Sequence, residues 1–207
     1  DKIYDQSIEL CKNAISISKR LKGSRYGIHA GFLIDIKPKE AGRKIPNRNL
    51  SNKKKAMARF SEGWEIISNE AAGEVTLYIE NNVFSSTNCK TYSGNNPFFL
   101  TNYSSYLELK EYIDFNLLLD VAHLKVSAKS LNLNFNDELK NLLPLTNYIH
   151  LSDNDGLHDQ NKAFDINSDL LKTLHNYDLS SSTFTLETYA NIEKIKDNYK
   201  MFSEITS

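Results

Sequence analysis

Apolar residues recur along this chain at two different spacings, and the switching between them predicts its architecture. Residues 4–22, YDQSIELCKNAISISKRLK, place Ile8, Cys11, Ile15 and Leu21 at helical intervals, and Gly23 ends the run. RYGIHAGFL is short, apolar and β-prone. Residues 37–59 read as loop and helix start, and residues 60–72 continue as an amphipathic helix that Gly73 stops. EVTLYIEN is the next strand, followed by a polar loop over 81–96 and a helix in SYLELKEYI. FNLLLDVAH is strand, NDELKNLL helix and TNYIHLSD strand. A helix in NSDLLKTLHNY, capped by Asn167 or Ser168, leads to the strand STFTLET and a last helix in ANIEKIKDNYKMF.

Strands are thus expected near 26–33, 75–81, 115–121, 147–153 and 182–187, each followed by a helix, in one domain over 1–207. Near-continuous apolar runs suit strands covered on both faces, and strict strand–helix alternation implies a parallel α/β sheet, doubly wound or closed into a barrel. No glycine-rich phosphate loop follows any strand, which favours the barrel over a nucleotide-binding doubly wound fold.

The ends of these runs carry the chemistry. They read His29, then Glu80, then Asp120 with His123, then His150 with Asp153, then Glu187. In a parallel barrel every strand C-terminus opens onto one face, so these side chains are expected to converge. A single strand-end carboxylate is more often a helix cap or loop anchor; five successive strands repeating the pattern point to a shared site. Three carboxylates and an imidazole suit one divalent metal, Mn²⁺, Mg²⁺, Co²⁺ or Zn²⁺, and the lack of a thiolate leaves the choice among them open. His175, placed mid-helix, is read as a surface or packing residue.

Composition narrows the classes. The 207 residues are 40% apolar with a formal net charge of −1, which argues against a dedicated nucleic-acid binder. Cys11 and Cys89 fit no paired metal spacing and read as reduced thiols, in keeping with a cytoplasmic protein. No apolar run reaches the roughly 18 residues of a membrane span. The chain opens on Asp1 rather than Met, already in a helical pattern, so an N-terminal portion is expected to be missing.

IHAGF, YIENN, LLLDVAH, YIHLSDNDG and FTLET resemble, in order, strands four to eight of the xylose-isomerase-like TIM barrels, a superfamily of sugar and sugar-phosphate isomerases/epimerases and apurinic-site endonucleases. The resemblance covers nearly the whole chain and implies a (β/α)8 barrel lacking its first three strands. In the isomerase/epimerase branch one divalent metal is held by Glu, Asp, His and Glu from four successive strands; the matching positions are Glu80, Asp120, His150 and Glu187. It implies that His123 contacts a substrate oxygen and that His29 lines the pocket, with Asn81, Asp153, Asp155 and His158 as further substrate-binding candidates.

The expected activity is therefore isomerisation or epimerisation of a sugar or sugar phosphate by proton transfer α to a carbonyl, with Glu80 and Glu187 as base and acid and His123 orienting a hydroxyl. The basic stretch over 37–59, nine basic residues against one acid, offers Arg43, Lys44 and Arg48 for a phosphate. Two other readings stand beside this one. A zinc-dependent apurinic-site endonuclease would use D-x-H after the seventh strand, where this chain has Asp159-Gln160-Asn161, with His158 as a substitute imidazole, and NVFSS replaces the usual glycine-rich continuation after E-N. A non-catalytic or degenerate barrel fragment would expose two unpaired sheet edges and pair with itself or a partner. No nucleic acid or membrane partner is expected, and a homo-oligomer is compatible.

Overall fold

Five short strands form one sheet in the order β1-β2-β3-β4-β5, every neighbouring pair parallel. They are β1 (Arg25–His29), β2 (Thr76–Glu80), β3 (Asn116–Asp120), β4 (Thr146–Leu151) and β5 (Thr183–Leu186) in a computed structural model that describes residues 2–206. Helices separate them: α1 (Lys2–Arg20) precedes β1, α2 (Lys53–Ala71) follows it, α3 (Ser86–Thr91) and α4 (Tyr103–Lys110) follow β2, α5 (Val121–Ser130) and α6 (Phe135–Leu142) follow β3, α7 (Asp169–Leu174) follows β4, and α8 (Ile192–Thr206) closes the chain. Strands taken in chain order with helical crossovers curve into half of an α/β barrel.

Period-two alternation divides each strand between two environments. Leu77 and Ile79, Leu117 and Leu119, Ile149 and Leu151 belong to the main core, together with Trp64 and Ile67 of α2, Leu124 of α5 and Leu139 and Leu142 of α6. The alternate positions line the concave side, where Tyr78 and Tyr148 meet edge to face at 5.3 Å and the Tyr78 hydroxyl donates to Asn147 Oδ1 at 2.9 Å. Gly27 sits in that layer because a Cβ there would fall 3.1 Å from Leu118 Cδ2. β2 and β3 are buried over most of their length and β4 over its second half, whereas β1 and β5, each paired on one edge among the described residues, are largely half-buried.

Local structure departs from the sequence reading in four places. β1 ends at His29; the apolar residues beyond it leave the sheet, Ala30 donating its N–H to the Glu80 carbonyl and Phe32 forming an isolated antiparallel bridge with Phe98. The segment Val121–Ser130 is helix rather than the end of a strand. The polar loop over 81–96 contains α3, started by the Ser85 side chain accepting from Asn88 N. His175 is the C-terminal cap of α7, whose N-cap is Ser168, accepting from Leu171 N. No described helix is long and apolar enough to cross a membrane, and both cysteines are free thiols.

Candidate metal centre

Register determines which side chains share the mouth of the sheet. His29 is paired with Glu80, and Asp120 with His150. Leu151 is paired with Leu186, so Glu187 follows at the end of β5, its N–H donated to the Leu151 carbonyl at 3.0 Å. Glu80, Asp120, His150 and Glu187 each offer a ligand atom, and these atoms all lie within 4.8 Å of one another. His150 Nδ1 is 3.4 Å from Glu80 Oε1 and 3.2 Å from Glu187 Oε1. Glu80, Asp120 and His150 are buried; the Glu187 side chain is about a third exposed, the group most open to a ligand.

The backbone around this cluster is clasped. Asn81 Nδ2 donates to the Asp120 carbonyl at 3.0 Å while its Oδ1 accepts from Asp120 N at 2.7 Å, locking the end of β2 to the end of β3. Asp120 Oδ1 accepts from His123 N and starts α5, which leaves Oδ2 for the site. Asn82 Nδ2 donates to the carbonyls of Ala30, Gly31 and Phe99, tying the chain after β1 to the chain after β2.

The charges fit a cation. Asp120 Oδ2 and His150 Nδ1 are buried without a hydrogen-bond partner, in a position where an unpaired polar atom costs roughly 1–3 kcal/mol. Burial opposes a charge on His150, but the carboxylates of Glu187 and Glu80 outweigh it and push the imidazole up to about 10. Burial pushes Asp120 up to about 6, with Glu80 adding to the effect. An imidazole whose charged form is favoured by the carboxylates around it marks a site short of positive charge, which a divalent ion could supply with oxygen and nitrogen ligands alone.

His123 stands beside the cluster. Its Nδ1 donates to the Asn81 carbonyl at 2.9 Å and its Nε2 is 3.4 Å from Asp159 Oδ2. Burial would lower its proton affinity, yet Asp120, Asp159 and Glu80 raise it to about 10. His29, Glu80 and His123 form a second group with mutually close ligand atoms, sharing Glu80 with the first.

The other expected site residues divide. Asp153 has no free oxygen: Oδ1 accepts from Lys125 and from Asn154 N, and Oδ2 from the Ser168 hydroxyl, so it anchors the loop after β4. Asp155 and His158 pair with each other on an exposed turn. Asn81 is occupied by its clasp. Of the basic trio, Arg48 makes a two-pronged pair with Glu40, at 2.7 and 2.9 Å, and also donates to the Asp35 carbonyl, while Lys44 is exposed; Arg43 lines a cavity together with His29 and His123. Asp159, noted from the sequence only in its D-x-H alignment, is the carboxylate on His123. Its approach depends on how the loop after β4 folds back, through the bridge between Asp153 and Lys162.

No protein-family model and no curated protein matches the amino-acid sequence. Solved structures do. The chain superposes on a xylose isomerase domain protein from Alicyclobacillus acidocaldarius with a TM-score of 0.62 at 12% identity, covering 100% of this chain and 72% of the other. Its fold is that of the xylose isomerase-like domain proteins. The TTHB071 protein from Thermus thermophilus, in crystals soaked with ZnCl2, matches with a TM-score of 0.61 at 15% identity over 99% of this chain and 71% of that one. A 3-keto-D-glucoside 4-epimerase from E. coli matches with a TM-score of 0.61 at 12% identity over 96% and 69%.

Proposed function

We propose that this chain carries the metal-binding half of a sugar isomerase or epimerase that moves a proton α to a carbonyl. The observation that carries the reading is the meeting of Glu80, Asp120, His150 and Glu187 within 4.8 Å at four successive strand ends, with Asp120 Oδ2 buried and unpartnered. The 3-keto-D-glucoside 4-epimerase among the similar folds, and an L-ribulose 3-epimerase matched at a TM-score of 0.55 over 93% of this chain and 58% of that one, support the substrate class. In this reading the five strands are the later part of a closed barrel, in keeping with the longer matched structures and the half-buried β1 and β5.

A divalent ion held by the four groups would act as a Lewis acid toward a substrate carbonyl. The chain's own residues do the rest. Glu80 and Glu187 approach from strands three apart, so one carboxylate can take the proton from the carbon beside the carbonyl while the other faces the opposite side to return it. Buried His150 lies between them, its Nδ1 3.4 Å from Glu80 Oε1 and 3.2 Å from Glu187 Oε1. His123, fixed at Nδ1 by the Asn81 carbonyl, keeps its other edge toward the substrate side, where Asp159 waits.

Solvent exchange tests this directly. Metal-loaded protein incubated with aldoses and ketoses in D2O should introduce deuterium at the carbon next to the carbonyl, and chelation should stop it. The group His29–Glu80–His123 favours a second reading, a multi-zinc phosphodiesterase, because it shares Glu80 with the first. Two or more zincs per chain with nicking of abasic DNA, and no deuterium exchange, would establish that reading instead.

A further inference from the structure

Beside the candidate metal centre lies a cavity of about 120 Å³, lined by His29, His123 and Asp159 together with residues of the loop after β1 and of the segment after β2. A single water needs roughly 10–15 Å³ of such volume, so there is room for several heavy atoms. None of the four clustered groups, Glu80, Asp120, His150 and Glu187, lines it. A ligand bound through its carbonyl at that cluster would therefore place another of its parts here.

Several polar groups of the lining are already matched. Both Glu40 oxygens accept from Arg48, and Oε2 also from Lys37 N. Asn88 Oδ1 accepts from Ile45 N while Nδ2 donates to the Arg43 carbonyl. Asp159 Oδ2 faces His123 Nε2 at 3.4 Å, and His29 Nε2 lies 3.9 Å from Glu80 Oε2. Other groups are left over. Asp159 Oδ1 is buried without a hydrogen-bond partner. Asn82 engages three carbonyls through Nδ2 alone, which leaves its Oδ1 to accept. Ser85 Oγ accepts from Asn88 N, which leaves its hydrogen to give. The Arg43 side chain is exposed and makes no ion pair among the described residues.

The geometry points to this cavity as a subsite for the hydroxyl-bearing end of an unphosphorylated sugar, the end away from its carbonyl. This rests on the sugar reading of the neighbouring centre and narrows it. A hydroxyl both gives and accepts a hydrogen bond, and the left-over groups supply both kinds. Asp159 Oδ1 and Asn82 Oδ1 only accept, Arg43 only donates, and Ser85 has a hydrogen to give. A methyl group in the same place would leave all of them unmet. A phosphate would set anionic oxygens against Asp159 Oδ1 and Asn82 Oδ1, with one guanidinium to offset them. An ammonium group would meet Arg43 and the imidazole of His123, whose charged form Asp120, Asp159 and Glu80 favour. Of the three bases expected to hold a phosphate, Arg48 is taken by Glu40 and Lys44 does not line the cavity; Arg43 stands alone and serves as a donor to a hydroxyl.

The test is calorimetric binding to the metal-loaded protein of D-psicose, D-fructose, D-tagatose and D-sorbose, each as the parent sugar, the 6-deoxy sugar and the 6-phosphate. The parent form of the preferred epimer should bind at least about tenfold more tightly than either its 6-deoxy form or its 6-phosphate. Ser85→Gly, which keeps a residue suited to the N-cap of α3, should narrow the parent-to-deoxy ratio, and Arg43→Met should weaken the parent severalfold. Metal affinity should stay unchanged in both. A 6-deoxy sugar or a 6-phosphate that binds as tightly as the parent would overturn the assignment, as would no binding by any member or a preference that neither substitution moves. Deuterium exchange separates the two readings: hydroxyl preference without exchange leaves the subsite standing and removes the isomerase, while exchange without preference does the reverse.

Discussion

Asp159 Oδ2 faces His123 Nε2 at 3.4 Å, on the edge of the ring opposite the nitrogen that donates to the Asn81 carbonyl. A carbonyl only accepts, so Nδ1 carries a proton, and Nε2 meets a carboxylate that also favours a proton there. The ring is therefore a held cation between two oxygens. On the proposed function, a substrate hydroxyl would reach it by displacing or bridging Asp159, which lines a cavity together with His29 and His123.

Asp159→Ala should lower turnover about 10- to 100-fold while leaving metal affinity intact, because Asp159 lies outside the four-group cluster. Steady-state kinetics beside a metal titration separates the two effects.

Glu187→Gln retains an oxygen ligand but cannot accept a proton at neutral pH. Turnover should fall by at least about a hundredfold, with sugar binding changed little. Wild-type turnover in the variant would remove Glu187 from proton transfer.

Removing the ion should destabilise the fold as well as silence it. At a free-ion concentration of 100 times Kd the ion contributes about 2.7 kcal/mol. Chelation should lower Tm accordingly, and His150→Ala, which removes a buried ligand, should abolish the difference between loaded and chelated protein.

The Glu40–Arg48 pair gives the loop after β1 a pH limit. Hydrogen bonds from Arg48 and from Lys37 N hold the Glu40 carboxyl down at about 2, against an ordinary value of 4.5. A carboxyl depressed by folding contributes fully above its unfolded value, and the contribution is lost as pH falls through the folded one. Hydrogen-exchange protection at Ile45 N, bound to Asn88, should therefore persist from neutrality to about pH 4.5 and fade toward pH 2; Glu40→Gln should weaken it throughout.

Gly27→Val places a branched side chain against Leu118, where even a Cβ comes within 3.1 Å. Overpacking of this kind costs about 1–3 kcal/mol. Urea unfolding should show it as a lower midpoint with an unchanged slope.

The alternation of strands and helices was legible because β2, β3 and the second half of β4 are buried and read as apolar runs that carry an ionisable residue at or next to their ends. That is also why Glu80, Asp120, His150 and Glu187 stood out before any geometry was known. α5 was hidden for the opposite reason: Val121, Ala122, His123, Leu124, Val126, Ser127 and Ala128 are all buried, so no polar stripe marks a helix, and it starts directly at the last residue of β3. α3, six mostly polar residues, owes its existence to the Ser85 cap and its packing against α5. The residues after His29 looked like strand because they are apolar, but that apolarity serves the bridge to Phe98. The pairings of Arg48 with Glu40 and of Asp159 with His123 are made by loops, and loop closure leaves no periodic trace.

Because His29, Glu80, Asp120, His150 and Glu187 all occupy concave-face positions on neighbouring strands, a slip of any one strand by a single residue would turn its donor toward the helices. The irregular pairing between Leu117 and Leu118 on one side and Thr146 and Tyr148 on the other is where β3 and β4 reset their alignment before Asp120 meets His150. An ion at the mouth would thus act as a proofreader of assembly: it would reward the one alignment in which four separately drawn strands finish level, and a chain folded out of step would offer it nothing to hold.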